Sequence, residues 1–177
     1  MNIFQNRIIR AAKLDANLYE EVEADKGAMS QAMAVVVLSS LAAGIGTIGA
    51  GGFSGILLGT IAALVGWYLW AYLTYFIGTK LLPEPQTQSN PGELLRTIGF
   101  ASSPGLIRIF AIIPGLGKVV ILVGALWMLA AMVIAVRQAL DYKSTLRAVG
   151  VCVIGWAIYL LIIGLFFSIF GGGAQPV

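Results

Sequence analysis

The sequence predicts an all-α polytopic membrane protein with five transmembrane helices and an N-terminal amphipathic helix at the membrane interface. Two observations lead to this prediction. Apolar residues make up 59% of the 177 residues and charged residues only 11%, whereas a soluble domain of this length needs more charge to cover its surface. In addition, four long apolar stretches and a weaker fifth follow one another from about residue 31, and a spanning helix requires about 20 mostly apolar residues.

The N-terminal segment, residues 1–28, is predicted to be a cytoplasmic amphipathic helix. Apolar side chains recur at helical spacing over residues 4–26, with charged residues between them. The first half of this helix is basic and the second half acidic. We expect Arg7, Arg10 and Lys13 to contact anionic lipid headgroups. The alternative is a helix packed beneath the spans, with its charges merely solvated.

The transmembrane domain is predicted to cover residues 29–171. Because hydrocarbon offers no partner for a free peptide group, each span is expected to be helical. The predicted spans are about 29–50, 54–82, 97–114, 118–136 and 148–170, and residues 172–177 form a short non-cytoplasmic tail. The third span is the weakest of the five, and a re-entrant loop is the alternative for it.

The distribution of basic residues predicts the orientation. Five spans with a cytoplasmic N-terminus place nine of the 11 Lys and Arg residues in the cytoplasm, leaving Lys118 outside and Arg108 within the third span. A re-entrant third segment would instead move the 137–147 loop, with three basic residues, to the outside. We therefore predict a cytoplasmic N-terminus and a C-terminus on the opposite side.

The second predicted span carries small residues at the spacing that favours close helix packing. Gly55 and Gly59 are four residues apart, and Gly66 follows two turns later. Such residues let two backbones approach closely within the membrane. The partner is either another span of the same chain or a second copy of the protein.

The third predicted span contains a kink and an arginine. Gly99 and Pro104 are expected to bend it, since proline removes one helical hydrogen bond. Arg108 follows at a depth where the chain has no carboxylate, and a charge at the bilayer centre costs at least ~2.5 kcal/mol. We expect Arg108 to snorkel outward. The alternatives are a bond to carbonyls freed near the kink, a lipid phosphate, or a contact with another subunit.

The sequence offers no chemistry for catalysis or for a cofactor. It has no histidine, and its one cysteine, Cys152, lies inside an apolar run, so neither a general base nor a metal cluster is expected. We predict no catalytic, metal-binding or cofactor-binding residue and do not expect an enzyme. The expected partners are membrane lipids, including anionic ones, and other membrane protein subunits or a second copy of the chain. Neither nucleic acid nor a soluble substrate is expected.

Three motifs resemble those of the Yip1 family of five-span membrane proteins, in its prokaryotic form. They are the segment LDANLYEEVE at 14–23, GFASSP at 99–104 and IAVRQAL at 134–140. The resemblance extends from about Arg10 to Phe170, although the Asp-Leu-x-Gly-Pro motif of the eukaryotic members does not occur before the first span. It implies a cytoplasmic N-terminus, oligomerisation, and a role in membrane shaping or vesicle traffic. For a prokaryotic member it also implies the bacterial cytoplasmic (inner) membrane.

Together these features predict a non-enzymatic integral membrane protein that organises or shapes a membrane or scaffolds a membrane assembly. It would act through helix–helix packing and through the interfacial amphipathic helix. The alternative is a small accessory subunit of a larger membrane complex. A small transporter or channel is the least favoured of the three, because the predicted spans lack polar residues that could form a path.

Overall fold

The computed structural model describes residues 2–47 and 52–170, and within these ranges the chain is helical, with no strand. The α-helices are α1 (Ile3–Ala12), α2 (Ala16–Ala24), α3 (Met29–Gly46), α4 (Gly52–Phe76), α5 (Pro91–Phe100), α6 (Gly117–Ala139) and α7 (Thr145–Phe170). Two 3₁₀ helices, Lys26–Ala28 and Ser103–Ile112, and a π-helical turn, Ile77–Leu81, extend or connect them. The predicted all-α class is confirmed.

Within the described residues, four helices are long and apolar enough to cross a membrane. They are Lys26–Gly46, Gly52–Leu81, Gly117–Ala139 and Thr145–Ile162. These helices correspond to the first, second, fourth and fifth predicted spans, so the chain is a polytopic membrane protein. The predicted end of the first span at residue 50 and the tail 172–177 lie outside the described residues.

The third predicted span, 97–114, is wrong as a single helix. It consists of α5, which ends at Phe100, and the 3₁₀ helix that begins at Ser103. Pro104 lies in the first turn of the 3₁₀ helix. Because N–H groups in a first turn have no partner within the helix, the absence of an N–H from proline removes no hydrogen bond there. The two short elements are called the broken segment below, residues 91–112.

The broken segment nevertheless runs beside α3 and in the same direction. Gly99 faces Ala32, and a Cβ atom on Gly99 would lie 2.7 Å from the Cβ of Ala32. Further along, Gly105 faces Ser39. At about 1.5 Å per residue in α5 and about 2.0 Å in the 3₁₀ helix, the two elements together reach at least the length of α3. Gly99 was expected to help form the kink, but it lies inside regular α5 and instead permits this close contact.

Three polar segments meet at one end of the bundle, which is called the polar end below: residues 2–28, 80–96 and 137–147. The Gln86 side chain donates from Nε2 to the carbonyl oxygen of Asp141 at 2.9 Å. Gln138 donates from Nε2 to Oε1 of Glu20 at 2.6 Å. The re-entrant alternative placed 137–147 at the opposite end and is therefore wrong. The compartment that the polar end faces stays a prediction.

The N-terminal segment forms two helices rather than the single helix predicted over residues 4–26. The chain reverses at Leu14, which adopts a left-handed φ of 62°. Asp15 then caps α2 by accepting a hydrogen bond from the Asn17 N–H at 3.0 Å. Three side chains of α2 are fully buried: Leu18, Tyr19 and Val22. The α2 helix is thus a core element, which agrees with packing beneath the spans rather than with a free interfacial helix.

The bundle is tightly packed at the polar end and open at the other end. The largest fully buried side chains include Tyr19, Phe100, Ile77, Leu94 and Leu140, which lie in the three polar segments or within about one helical turn of them. In contrast, Phe53 and Leu58 in the first half of α4 are 75% and 68% exposed. This apolar surface has no cover from the described part of the chain.

Replacing Gly99 with alanine should destabilise the protein. The new methyl group would meet the Cβ and the backbone oxygen of Ala32 at 2.7 and 3.1 Å, and overpacking of this kind costs about 1–3 kcal/mol. We expect a lower midpoint of thermal unfolding in detergent, by several degrees. Gly164→Ala is the control, because a Cβ there meets nothing within 4 Å. An equal shift in both variants would contradict the close contact between α3 and α5.

Candidate functional site

Arg108 turns its side chain back into the bundle. Its backbone oxygen lies against Gly46, at the end of α3 distant from the polar end. The guanidinium donates from Nε to the carbonyl oxygen of Gly105 at 3.1 Å, and from Nη2 to Oγ and the carbonyl oxygen of Ser39 at 2.9 and 3.3 Å. Ser39 lies about 10 Å from Gly46 along α3. The expected outward snorkelling is therefore wrong, and the alternative bond to a carbonyl near the kink is present.

Two glycines leave the space that the Arg108 side chain occupies. A Cβ atom on Gly105 would lie 2.8 Å from Nη2 of Arg108 and 2.7 Å from Sδ of Met128. A Cβ atom on Gly124 would lie 3.2 Å from Cγ of Arg108. The arginine stem therefore occupies space that exists only because α6 and the 3₁₀ helix lack side chains at these positions.

The charge of Arg108 has no counter-ion among residues 2–47 and 52–170. Its bonds to Gly105 and Ser39 use three of the five guanidinium N–H groups, and Nη1 has no acceptor in the described part of the chain. All of its acceptors are neutral oxygens. The ion pairs of the described chain involve other arginines: Arg7, Arg10 and Arg147. A partly buried cation without a carboxylate is costly, so an anion from outside the chain would be favoured here.

Two cavities meet at Arg108. The first, of about 420 Å³, lies between α3 and α4 and is bordered by Ser39, Ser40, Thr47, Gly55 and Gly59. The second, of about 770 Å³, lies between α4, α6 and α7 and is bordered by Trp70, Met128, Met132, Cys152 and Trp156. The first is partly polar, and the second is almost wholly apolar. No sequence pattern indicated either cavity, because each is formed by residues from separate helices.

The glycines of α4 differ in their surroundings. Gly55 and Gly59 are exposed, and a Cβ atom on either would meet nothing within 4 Å. Gly66 lies closer to α7, where its Cβ would be 3.6 Å from the hydroxyl of Tyr159. Among residues 2–47 and 52–170, nothing packs against Gly55 or Gly59. Packing of these two glycines against another chain stays a prediction.

Arg7 fastens α1 to the bundle. Its side chain is 9% exposed and forms ion pairs with Glu21 at 2.9 Å and with Asp25 at 2.8 Å. Nη1 also donates to Oε1 of Gln31, on α3, at 3.0 Å. All three guanidinium nitrogens are thus engaged within the chain. The helical pattern did not indicate this role, because the acceptors come from α2, from the residue that follows it and from α3.

The two other basic residues of the segment lie nearer to solvent. Arg10 pairs with Asp15 at 2.8 Å and with Glu21 at 2.5 Å, and Lys13 is exposed. The Arg10 guanidinium, with help from Arg7, holds the pKa of Glu21 below its usual value. Contact of these basic residues with lipid headgroups stays a prediction.

Glu23 is an acid in an unfavourable position that the sequence did not single out. Burial raises the pKa of Glu23 to about 8, and the nearby Asp141 and Glu93 contribute to this rise. The Arg96 side chain donates to the backbone carbonyls of Val22, at 2.9 Å, and of Glu23, so it holds the end of α2 against α5. The surrounding acids come from distant parts of the chain, and only folding brings them together.

Comparison with known proteins identifies one family. A family model described as the Yip1 domain matches residues 18–167. The match begins within α2, ends within α7 and includes the broken segment with Arg108. It confirms the resemblance that the three motifs indicated. No curated protein and no solved structure matches the chain.

Replacing Glu23 with glutamine should stabilise the protein at neutral and alkaline pH. Because the folded-state pKa of Glu23 is about 8 against an ordinary value of 4.5, the wild-type protein should lose stability as pH rises through this window. We expect the two proteins to unfold at the same temperature at pH 4.5 and the variant to unfold a few degrees higher at pH 8. Glu20→Gln, on the exposed side of α2, should give a smaller gain. Equal pH profiles for wild type and Glu23→Gln would contradict the burial of this acid.

Replacing Arg7 with methionine should loosen α1. The variant leaves Glu21 and Asp25 without the guanidinium that binds both, and loss of a part-buried partner costs about 1–3 kcal/mol. We expect faster hydrogen–deuterium exchange over residues 3–12, measured by mass spectrometry in detergent. Lys13→Met removes an exposed charge from the C-terminal end of α1 and should leave the exchange unchanged. Unaltered exchange in Arg7→Met would show that α1 is held by other contacts.

Proposed function

We propose that this chain, which belongs to the Yip1 family, scaffolds a membrane assembly by packing the exposed face of α4 against a transmembrane helix of a second protein chain. The observation that carries this proposal is the uncovered pair Gly55 and Gly59. Small residues four apart on a spanning helix favour close helix–helix contact. In the described part of the chain, nothing occupies the space next to them.

The burial of α4 supports the same proposal. In the span Gly52–Leu81, only 11% of the residues of the apolar stretch are buried, against 33% of those in the span Lys26–Gly46. The buried residues of α4 are Trp67, Ala71 and Thr74, all in the half nearer the polar end. The half that carries the two glycines is therefore the part of α4 that is free to bind another helix.

The contacts between α4 and α3 show on which side of α4 the two glycines lie. Ser40 on α3 donates to the Thr60 hydroxyl at 3.2 Å, and Ile56 packs against Gly44 of α3. Ile56 and Thr60 are one helical turn apart and lie against α3. Gly55 and Gly59 each precede one of these residues, so they lie about 100° around the helix, beside the first cavity. A helix that packs on them can insert a side chain into that cavity.

A second copy of this chain is the simplest partner. Two copies related by a two-fold axis would present the same glycine face to each other, and most soluble oligomers are closed by such symmetry. An accessory role in a larger complex uses the same face with a different partner helix. Membrane shaping by the N-terminal helix has less support, since Arg7 holds α1 and the apolar face of α2 is buried.

Replacing Gly59 with leucine should weaken the association while the fold is retained. The new side chain would project into open space in the isolated chain but would separate two packed backbones. We expect association to weaken by at least about ten-fold, which corresponds to ~1.4 kcal/mol. The measurement is energy transfer between differently labelled copies in liposomes at decreasing protein-to-lipid ratios.

Gly164→Leu is the matched control, because Gly164 is an exposed helical glycine of α7 with the same open surroundings. Its association should equal that of the wild type. If the wild type transfers no energy, co-purification with other membrane proteins from the native membrane tests the accessory role. A wild type that is monomeric and also purifies alone would overturn the proposal.

A further inference from the structure

We propose that Arg108 and the second cavity together bind an anionic acyl lipid. The carboxylate or phosphate group would bind the guanidinium, and the acyl chain would lie in the cavity between α6 and α7. This site is separate from the Gly55–Gly59 face and does not depend on the scaffold function. The inference rests on the charge of the site, on the shape of the cavity and on the surface to which the cavity opens.

Charge is the first argument for an anion. The Nη1 group of Arg108 has two N–H donors that no acceptor of the described chain meets, while Nε and Nη2 are held by Gly105 and Ser39. Planar guanidinium groups bind carboxylate and phosphate through pairs of hydrogen bonds. The fixed orientation of the group lowers the entropy that such an anion loses on binding.

The elongated shape of the cavity suits an extended hydrocarbon chain. Along α7 the cavity runs from Val149 to Leu160, which is about 16 Å of helix. Spread over this length, a volume of about 770 Å³ makes the cavity an elongated groove. A single extended hydrocarbon chain fits such a groove.

Arg108 lies at one end of the groove. Its side chain touches Gly124, and the α6 residues that border the cavity follow directly, from Ala125 to Val133. A ligand bound at the guanidinium would therefore extend its chain along α6 and α7 towards the polar end. The site for the headgroup and the site for the acyl chain thus follow one another along the groove, as the two parts of a lipid do.

The cavity opens to the lipid side of the bundle. The side chains at its border include four that are more than half exposed: Leu129, Val153, Trp156 and Leu160. These side chains are apolar and belong to two spanning helices, so the bilayer is the natural source of the ligand. Met128 and Met132, deeper in the cavity, are flexible side chains that adapt to a chain of irregular shape.

Quenching of tryptophan fluorescence by brominated lipids tests the proposal, since Trp70 and Trp156 border the cavity. The full chain is placed in nanodiscs of zwitterionic lipid and titrated with a dibrominated fatty acid or with the fatty alcohol of the same chain. Brominated phosphatidic acid and brominated phosphatidylcholine form a second pair. We expect half-maximal quenching by the anionic member of at least one pair at a concentration about ten-fold lower than by its neutral partner.

Arg108→Gln should abolish this preference, and Arg108→Lys should keep part of it. Lys118→Gln, which removes an exposed charge from the start of α6, should leave it intact. Preference for the fatty acid alone assigns a carboxylate ligand, and preference for phosphatidic acid alone assigns a phosphate. Gly59→Leu should retain the preference, so that failure of the helix-packing proposal is seen separately from failure of this one.

Thermal unfolding gives an independent reading in case Arg108→Gln perturbs the fold. A ligand that binds only the folded state raises the unfolding midpoint, so the fatty acid should raise it in the wild type and in Lys118→Gln but not in Arg108→Gln. Equal quenching by acid and alcohol in the wild type would overturn the proposal. So would an anion preference that persists in Arg108→Gln, or a cross-link that places a partner protein in the cavity.

Discussion

The broken segment lies in direct contact with α3 because glycine occurs at three points where the two elements meet. Gly99 faces Ala32, Gly105 faces Ser39, and Gly46 faces the backbone of Arg108. In a membrane, where lipid is as apolar as the side chains, such contact relies on van der Waals packing rather than on exclusion of water. A 3₁₀ helix with a proline in its first turn has little intrinsic stability, so its packing against α3 and α6 holds it in place. This packing places Arg108 beside Ser39 and Gly124.

The bundle has two unlike ends. At the polar end the helices are joined by charge and by buried side chains: Arg7 binds Glu21 and Asp25, and Arg96 binds the carbonyls at the end of α2. At the other end, α4 leaves a cavity beside it and an uncovered surface. The polar end stabilises the fold, and the other end has an exposed apolar surface that suits the binding of lipid or of another helix.

Charge compensation differs in the same way between two arginines of the chain, Arg7 and Arg108. Each is followed by an isoleucine in the sequence. Arg7 has two carboxylates as partners, whereas Arg108 has only neutral oxygens from Ser39 and Gly105. The sequence predicted lipid contact for Arg7 and outward snorkelling for Arg108, because the partners of an arginine are contributed by other helices. Of the two, only Arg108 has a guanidinium nitrogen, Nη1, without an acceptor in the described part of the chain.

The sequence by itself determined the membrane class, the all-α fold and four of the spanning helices, because lipid leaves helical hydrogen bonding as the solution for a long apolar run. It also predicted a departure from a straight helix near Pro104, but as a bend rather than as the break that separates Phe100 from Ser103. Only the tertiary structure decided the inward turn of Arg108, the burial of α2, the uncovered state of Gly55 and Gly59 and the two cavities. Each of these depends on which helices become neighbours, and apolar helix faces look alike in sequence whether they meet lipid or protein.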